Sequence, residues 1–407
     1  MSTFINTKAI KVFIAEMIDA MPYLKASMPH FADQLSGKKS GSDYTFVLRD
    51  SGHPTDGLAI TGSDRKTIIE KEVKLTLAHK KSVVEVTLLE AIKDIGDFKT
   101  EVADTYAVRL GAEVQRDVIA RTFFKATVAT YPKTGSNGWS ALSKASAHLK
   151  GARNGAKLFG HLSSNASANL TVDALNGMVF IPSKNGEMLF GENDIGRFGG
   201  VEYADVTNCP TVTVPAATAF VDLEVDSAST TTGVGTLLIH AAAGNTTVLP
   251  AGLPLVKAGA YACNSVGMPT DTPFSFILQS PVTLNGATPV SATVQSLIPE
   301  DIGARNIYIA GVTTTAAIAG ALTCPLTAEA KYDVAQIRCN DVMNWDNNPL
   351  PDLQGAKCTS ATVGGVSLKV TEFGDGTTFS NITRWDIDFL AGIADERLVA
   401  CAYLPRD

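Results

Sequence analysis

Residues 99–125 read KTEVADTYAVRLGAEVQRDVIARTFFK. Thr100 is a helix N-cap candidate, and Glu101 and Asp104 place negative charge in the first turn. Val102, Tyr106, Leu110, Val114 and Val118 then recur every four residues, and Ala103, Ala107, Ile119 and Phe123 widen that face. The first proline after this run is Pro132. The spacing predicts a helix from Thr100 to about Thr130, roughly 30 residues and 45 Å long at 1.5 Å per residue. A globular helix averages about 11–12 residues. A rod of this length serves as the core of a bundle or as the stiff beam of a flat, elongated subunit.

The regions on either side of this helix have different compositions. Residues 7–21 carry Ile10, Phe13, Ile14, Met17, Ile18 and Met21 on one helical face and Lys11, Glu16 and Asp19 on the other. Pro22 and Pro29 interrupt that helix, and Phe31–Leu35 is expected to add a turn. Residues 41–87 mix strand-like runs with polar, glycine-rich turns. Tyr44–Leu48 and Val73–His79 read as the two sides of a long hairpin whose charge gives it little core of its own. Helices are expected over Ala141–Gly151 and over Thr171–Met178 with Thr171 as cap, followed by a strand from Val179 to Pro182. Between 211 and 299 Lys257 is the sole Lys or Arg, and short strands are expected at Thr236–His240, Leu253–Val256 and Phe274–Leu278. That shift marks an inserted antiparallel β domain, barrel or sandwich, with boundaries near 213 and 325. The segment after 326 returns to mixed composition. Its GGVSLKVTEFGDGTTF reads as strand, turn and strand, and its last 25 residues as long β segments kinked around Gly392–Glu396.

Composition excludes several classes. The chain has 407 residues, 45% hydrophobic and 18% charged, enough for a folded protein of two or three domains. A net charge of −7 argues against wrapping nucleic acid. MSTFINTKAIK lacks the basic-then-apolar order of a signal peptide, and no apolar run reaches about 20 residues, so folding in the cytosol without a membrane partner is expected. Cys209, Cys263, Cys324, Cys339, Cys358 and Cys401 form no CxxC pair and read as reduced, buried thiols.

The search for chemistry yields few candidates. His30, His53, His79, His148, His161 and His240 share no i, i+4 spacing and fit no HExxH motif, so each reads as a surface or capping residue. GxSxG and the P-loop are absent, and Gly199–Gly200 and Gly364–Gly365 lack the GxGxxG order. Asp386 and Asp388, with Asp395 and Glu396 nearby, invite an acid/base reading; the favoured one is a solvated or subunit-facing strand surface. Lys66, Lys71 and Lys74 on the hairpin are candidates for an isopeptide bond to an Asn such as Asn381 of a neighbour, a reaction that also requires a buried carboxylate. No catalytic residue, metal or cofactor is expected.

Taken in order, these elements resemble the major capsid proteins of tailed bacteriophages with the HK97-like fold. Three stretches carry the resemblance: GENDIGRFGGVEYADVTNCP (191–210), TAEAKYDVAQIRCNDVMNW (327–345) and ITRWDIDFLAGIADERLVACAYLP (382–405). The insertion is similar to that of P22-type coat proteins. The resemblance implies an α+β fold. Residues 1–40 would be an N-terminal arm and 41–87 an extended loop reaching over an adjacent subunit. Residues 88–212 would hold the spine helix, the peripheral domain and the first part of the apical domain. Residues 213–325 would be the inserted all-β, barrel-like domain, and 326–407 the rest of the apical domain with the closing peripheral strands. It implies self-assembly through pentamers and hexamers into an icosahedral shell in the host cytoplasm. Scaffolding and portal proteins would be partners, and packaged DNA a weak one. Glu16 and Asp19 would then be docking charges for a basic scaffolding protein. An encapsulin-like compartment shell shares that fold. A glycan-binding adhesion protein is the alternative of another class, although Phe220, Tyr261, Phe274, Phe276 and Tyr308 are spread thinly for a sugar platform.

Overall fold

A computed structural model describes residues 7–25, 43–50, 69–87, 105–132, 138–177, 196–231, 234–300, 304–340, 342–348, 356–375 and 380–406. The chain divides into two compact units. One comprises Met1–Tyr44, Leu75–Arg121 and Met343–Gly392; the other comprises Thr45–Lys74, Thr122–Val342 and Ile393–Asp407. The described helices are α1 (Thr7–Asp19), α2 (Pro22–Lys25), α3 (Val108–Thr122), α4 (Gly138–Ala152) and α5 (Ser164–Gly177). The first strands are β1 (Asp43–Asp50), β2 (Ile69–Thr76), β3 (Ala78–Thr87), β4 (Val128–Thr130), β5 (Leu158–Leu162), β6 (Arg197–Phe198), β7 (Val201–Asp205) and β8 (Thr211–Thr213). The charge-poor region holds β9 (Glu224–Thr231), β10 (Val234–His240), β11 (Val248–Leu249), β12 (Pro254–Cys263), β13 (Pro269–Ile277), β14 (Val282–Thr283), β15 (Val290–Val294), β16 (Ile307–Ile309) and β17 (Gly320–Thr323). The last strands are β18 (Lys331–Cys339), β19 (Met343–Asn348), β20 (Lys357–Val363), β21 (Val366–Asp375), β22 (Ser380–Ile393) and β23 (Val399–Arg406).

In the first unit a sheet ordered β19-β22-β21-β20, with β3 on the other edge of β22, carries the core. Strand alternation turns Trp385, Ile387 and Phe389 to one face, where all three are fully buried. Trp385 stacks on Phe13 of α1 at 5.0 Å between centroids, and Tyr106 lies 6.3 Å from it. The stripe Ile10, Phe13, Ile14, Met17 and Met21 of α1 is fully buried, which gives this short helix the partner surface it needs. Pro22 opens α2 at the position where its missing N–H costs nothing. Tyr23 N–H donates to Gln115 Oε1 of α3 at 3.1 Å. Gly364 and Gly365, both at positive φ, form the two-residue turn that pairs Val363 with Val366.

The second unit is built on a sheet ordered β4-β23-β18-β5-β7-β6, with β8 on β18. β18 and β23 pair in register from Lys331↔Arg406 to Arg338↔Val399. The charge-poor region forms a second sheet, ordered β13-β12-β17-β9-β10-β15 with β16 on β12, and a small β11–β14 pair. Its inner face buries Leu237, Ile239, Phe274, Phe276 and Ala292. The three strand runs expected there are β10, β12 and β13, each longer than its apolar stretch. β1 and β2 form a separate two-stranded sheet.

Several expectations need correction. The helix expected to reach Thr130 ends at Thr122, and residues 128–130 are strand β4, pairing in parallel with β23. Tertiary hydrogen bonds stop it: Gln336 Nε2 donates to the carbonyls of both Thr122 and Phe123, and Gln279 Nε2 donates to that of Phe124. These are the carbonyl groups a helix end leaves without partners. Residues 99–104 of that expectation lie outside the described residues, as do Phe31–Leu35 and Val179–Pro182. Thr171 is not a cap. It lies within α5, its hydroxyl on the Ser167 carbonyl, while Ser163 Oγ accepts the Ala166 N–H at the start of the helix. The second hairpin side ends at Thr76, because Leu77 and Ala78 are buried and β3 joins another sheet. His148 and His161 are buried rather than on the surface.

Candidate functional site

Asp386 and Asp388, singled out in the sequence, lie with Arg384 on the polar face of β22, alternating with the buried aromatic face. Register places His79 of β3 opposite Asp388 and Lys81 opposite Asp386, while Lys369 of β21 lies opposite Asp386 on the other side. His79 Nδ1 is 2.6 Å from Asp388 Oδ1 and its Nε2 is 3.1 Å from Asp386 Oδ1. Arg384 Nε donates to Asp386 Oδ1 at 2.7 Å, and its Nη2 lies 3.3 Å from His79 Nε2. Asn347 Nδ2 donates to the Asp388 carbonyl at 2.8 Å. Lys80 of β3 reaches Asp117 of α3 at 3.2 Å.

Asp386 and Asp388 are buried, which corrects the expectation of a solvated strand surface. Charges at that depth persist only when paired and hydrogen-bonded. Each ring nitrogen of His79 meets a carboxylate, so a protonated ring donates on both sides; a neutral ring takes an N–H of Arg384 at Nε2. Chemically this is a clasp that ties β3 to β22. His79 holds Oδ1 of each carboxylate, and Arg384 shares that of Asp386. Among the described residues no group of three or more His, Cys, Asp or Glu is arranged to hold a metal ion.

The other two carboxylates are structural as well. Asp395 caps a short 3₁₀ turn through the Arg397 N–H and pairs with the Arg397 guanidinium at 2.7 Å. Arg397 also reaches the carbonyls of Asn264 and Arg305, and Glu396 accepts the Ser296 N–H at 2.9 Å. The turn before the closing strand therefore hooks the charge-poor region in three places.

The candidate docking charges lie on α1, with Glu16 half-buried and Asp19 exposed. Lys66 lies outside the described residues. Lys71 and Lys74 lie on β2; their side chains are outside the described set. Asn381 lies on β22, its backbone opposite Val86 and Gly374. Sequence reading missed His79 and Arg384 as partners of the two carboxylates, and Lys369 as the residue opposite Asp386. The period-two alternation through AHKKSVVEV was the available signal for His79.

No protein-family model matches the sequence, and no curated protein matches it. Among solved structures the chain is similar to the capsid of cyanophage P-SCSP1u, at 9% identity over 93% of this chain and 86% of that one, with a TM-score of 0.43. It is similar to the acidic stable capsid of Helicobacter pylori bacteriophage KHP30, at 9% identity over 95% and 91%, TM-score 0.43. It is also similar to a virus-like particle from Pyrococcus furiosus, at 9% identity over 97% of each chain, TM-score 0.37.

Proposed function

We propose that this chain is a major capsid subunit of the HK97-like type, which self-assembles through pentamers and hexamers into an icosahedral shell around double-stranded DNA. The observation that carries the reading is the β1–β2 ribbon. It is a two-stranded sheet separate from the other sheets, and a lone hairpin is marginal in water. An element of that kind suits a partner surface on another copy, as closed assemblies use. On this reading residues 1–40 are the arm, 41–87 the extended loop, 88–212 the spine and the start of the apical domain, 213–325 the insertion and 326–407 the closing part. Glu16 and Asp19 dock a basic scaffolding protein, a portal protein occupies one vertex, and the acidic balance keeps the contact with packaged DNA weak. Lys66, Lys71 and Lys74 lie on the reaching loop.

Negative-stain electron microscopy of the purified protein tests this. Closed shells tens of nanometres wide, lost or made polymorphic when residues 51–68 are shortened, are expected. A discrete monomer or trimer under every condition would overturn the reading.

A further inference from the structure

Asn-Gly pairs occur in the chain at 137–138, 154–155, 176–177, 185–186 and 285–286. Asparagine before glycine carries a chemistry of its own. The glycine nitrogen closes a succinimide ring on the asparagine Cγ, and a residue without a Cβ leaves that approach open. The rate depends on what holds the two atoms. Asn137 and Asn185 lie outside the described residues, as does the Asn176 side chain. The other two pairs lie in the second unit, in opposite situations. Asn285 and Gly286 form a tight turn between β14 and β15, bridged from Asn285 to Thr288. The Gly286 N–H, the attacking group, donates to the Asn245 carbonyl at 2.8 Å, and the Gly286 carbonyl accepts the Ala241 N–H at 2.9 Å. Gly286 is buried, and a Cβ there would stand 2.9 Å from the Gly244 nitrogen. The nitrogen is engaged and its surroundings leave it no room to turn.

Asn154 and Gly155 follow the end of α4 and are both exposed. Gly155 is at φ +74°, the left-handed conformation in which many helices end. Beyond its chain neighbours nothing lies within 4 Å of where its Cβ would stand. Among the described residues neither the Asn154 side chain nor the Gly155 N–H makes a hydrogen bond. The attacking nitrogen and the Cγ it attacks are therefore both free to turn towards each other.

We propose that Asn154 is a site of spontaneous deamidation in the folded protein, with water as the sole co-reactant. The Gly155 nitrogen gives its proton to solvent base and forms a bond to Asn154 Cγ. The Cγ–Nδ2 bond breaks, and ammonia leaves with a proton from solvent. Water then opens the imide at either carbonyl. Opening at Cγ leaves a side-chain aspartate; opening at the backbone carbonyl leaves isoaspartate, with the chain running through Cβ and Cγ. Either product places a new negative charge at the C-terminal end of α4, where the helix dipole disfavours it. The site is two residues past the Ala152 carbonyl, which accepts the Ser265 N–H at 3.1 Å.

The test incubates the intact protein in mildly alkaline buffer at a temperature where it stays folded, then digests samples with pepsin in acid, which halts the reaction. Mass spectrometry is expected to find the amide-to-acid mass shift accumulating on the peptide that holds residue 154, as a mixture of aspartate and isoaspartate. The peptide that holds residue 285 should convert roughly fivefold more slowly or less, the value of one hydrogen bond. In urea the two should convert at similar rates. Asn154→Gln, whose ring closure is one atom larger, should abolish the shift on its peptide and leave the rest of the map unchanged. Aspartate as the sole product at 154, equal rates at 154 and 285 in the folded protein, or a 154 peptide that converts only in urea would each overturn the inference.

Discussion

Replacing Gly111 with alanine tests how α1 lies on α3. In a free helix the change stabilises by about 1 kcal/mol, because glycine pays more backbone entropy. Here a Cβ would stand 2.6 Å from the Met17 carbonyl oxygen and 3.1 Å from both Ala20 Cβ and Met17 Cγ. The nearest atom is backbone, so no rotamer change relieves it. Overpacking of this kind costs about 1–3 kcal/mol, so the net effect is destabilising, by about 1 kcal/mol. Gly151 provides the contrast. It lies near the end of α4, and a methyl group added there would have nothing within 4 Å, so Gly151→Ala should gain about 0.5–1 kcal/mol. Hydrogen exchange read by mass spectrometry checks both. Amides of 7–25 should exchange roughly fivefold faster in Gly111→Ala, and those of 138–152 more slowly in Gly151→Ala. If Gly111→Ala instead slows exchange over 7–25, the close seating of α1 on α3 is wrong.

Asp388→Asn removes the negative charge that faces His79 Nδ1 at a buried position and should cost about 3 kcal/mol in urea unfolding; a loss near zero would refute the clasp. Gln336→Leu strips the Thr122 and Phe123 carbonyls of a donor and should cost about 1–3 kcal/mol, with faster exchange confined at first to residues 122–126. His148 is depressed from 6.5 to about 4 by burial, so above pH 6.5 its contribution to stability is complete, and it is lost as pH falls from 6.5 towards 4. That contribution is about 3 kcal/mol, and His148→Gln should flatten the acid limb of the stability profile by that amount. Burial pushes the Cys209 thiol up to about 12, with Asp205 and Asp333 adding to the shift; native protein at pH 8 should leave it unalkylated until urea is added.

Much of the local structure was legible because it is written in local periodicity. The stripe Ile10, Phe13, Ile14, Met17 and Met21 marks α1, and the apolar runs at 236–240, 253–256 and 274–278 mark three strands that the fold uses. The end of α3 was not legible. Val118, Ile119 and Phe123 continue the helical stripe, and the groups that stop it are side chains of Gln279 and Gln336, more than 150 residues further along. The same distance hid the clasp. Asp386 and Asp388 announce a shared strand face, but which face is decided by His79, some 300 residues earlier, arriving as the neighbouring strand. Burial of a charged pair depends on such long-range partners, and periodicity carries no record of them.

That clasp bears on the proposed reaching loop through chain connectivity alone. A single residue, Leu77, separates the end of β2 from β3, and His79 is the second residue of β3. β3 pairs with β22 without a break from Ala78↔Phe389 to Thr87↔Ser380. The ribbon, marginal alone, is therefore joined through one residue to a strand held by a full ladder, and the ion cluster begins three residues past the end of β2. An arm that binds another copy needs this asymmetry. Without a fixed root, energy gained at the tip would be spent on ordering the base rather than on association. The clasp and the shell reading then meet in one expectation. At a temperature where Asp388→Asn is still folded by circular dichroism, it should form fewer closed shells than the parent chain. Equal shell yields would mean that the rigidity of the root contributes nothing to assembly, and that the buried cluster serves the stability of its own sheet alone.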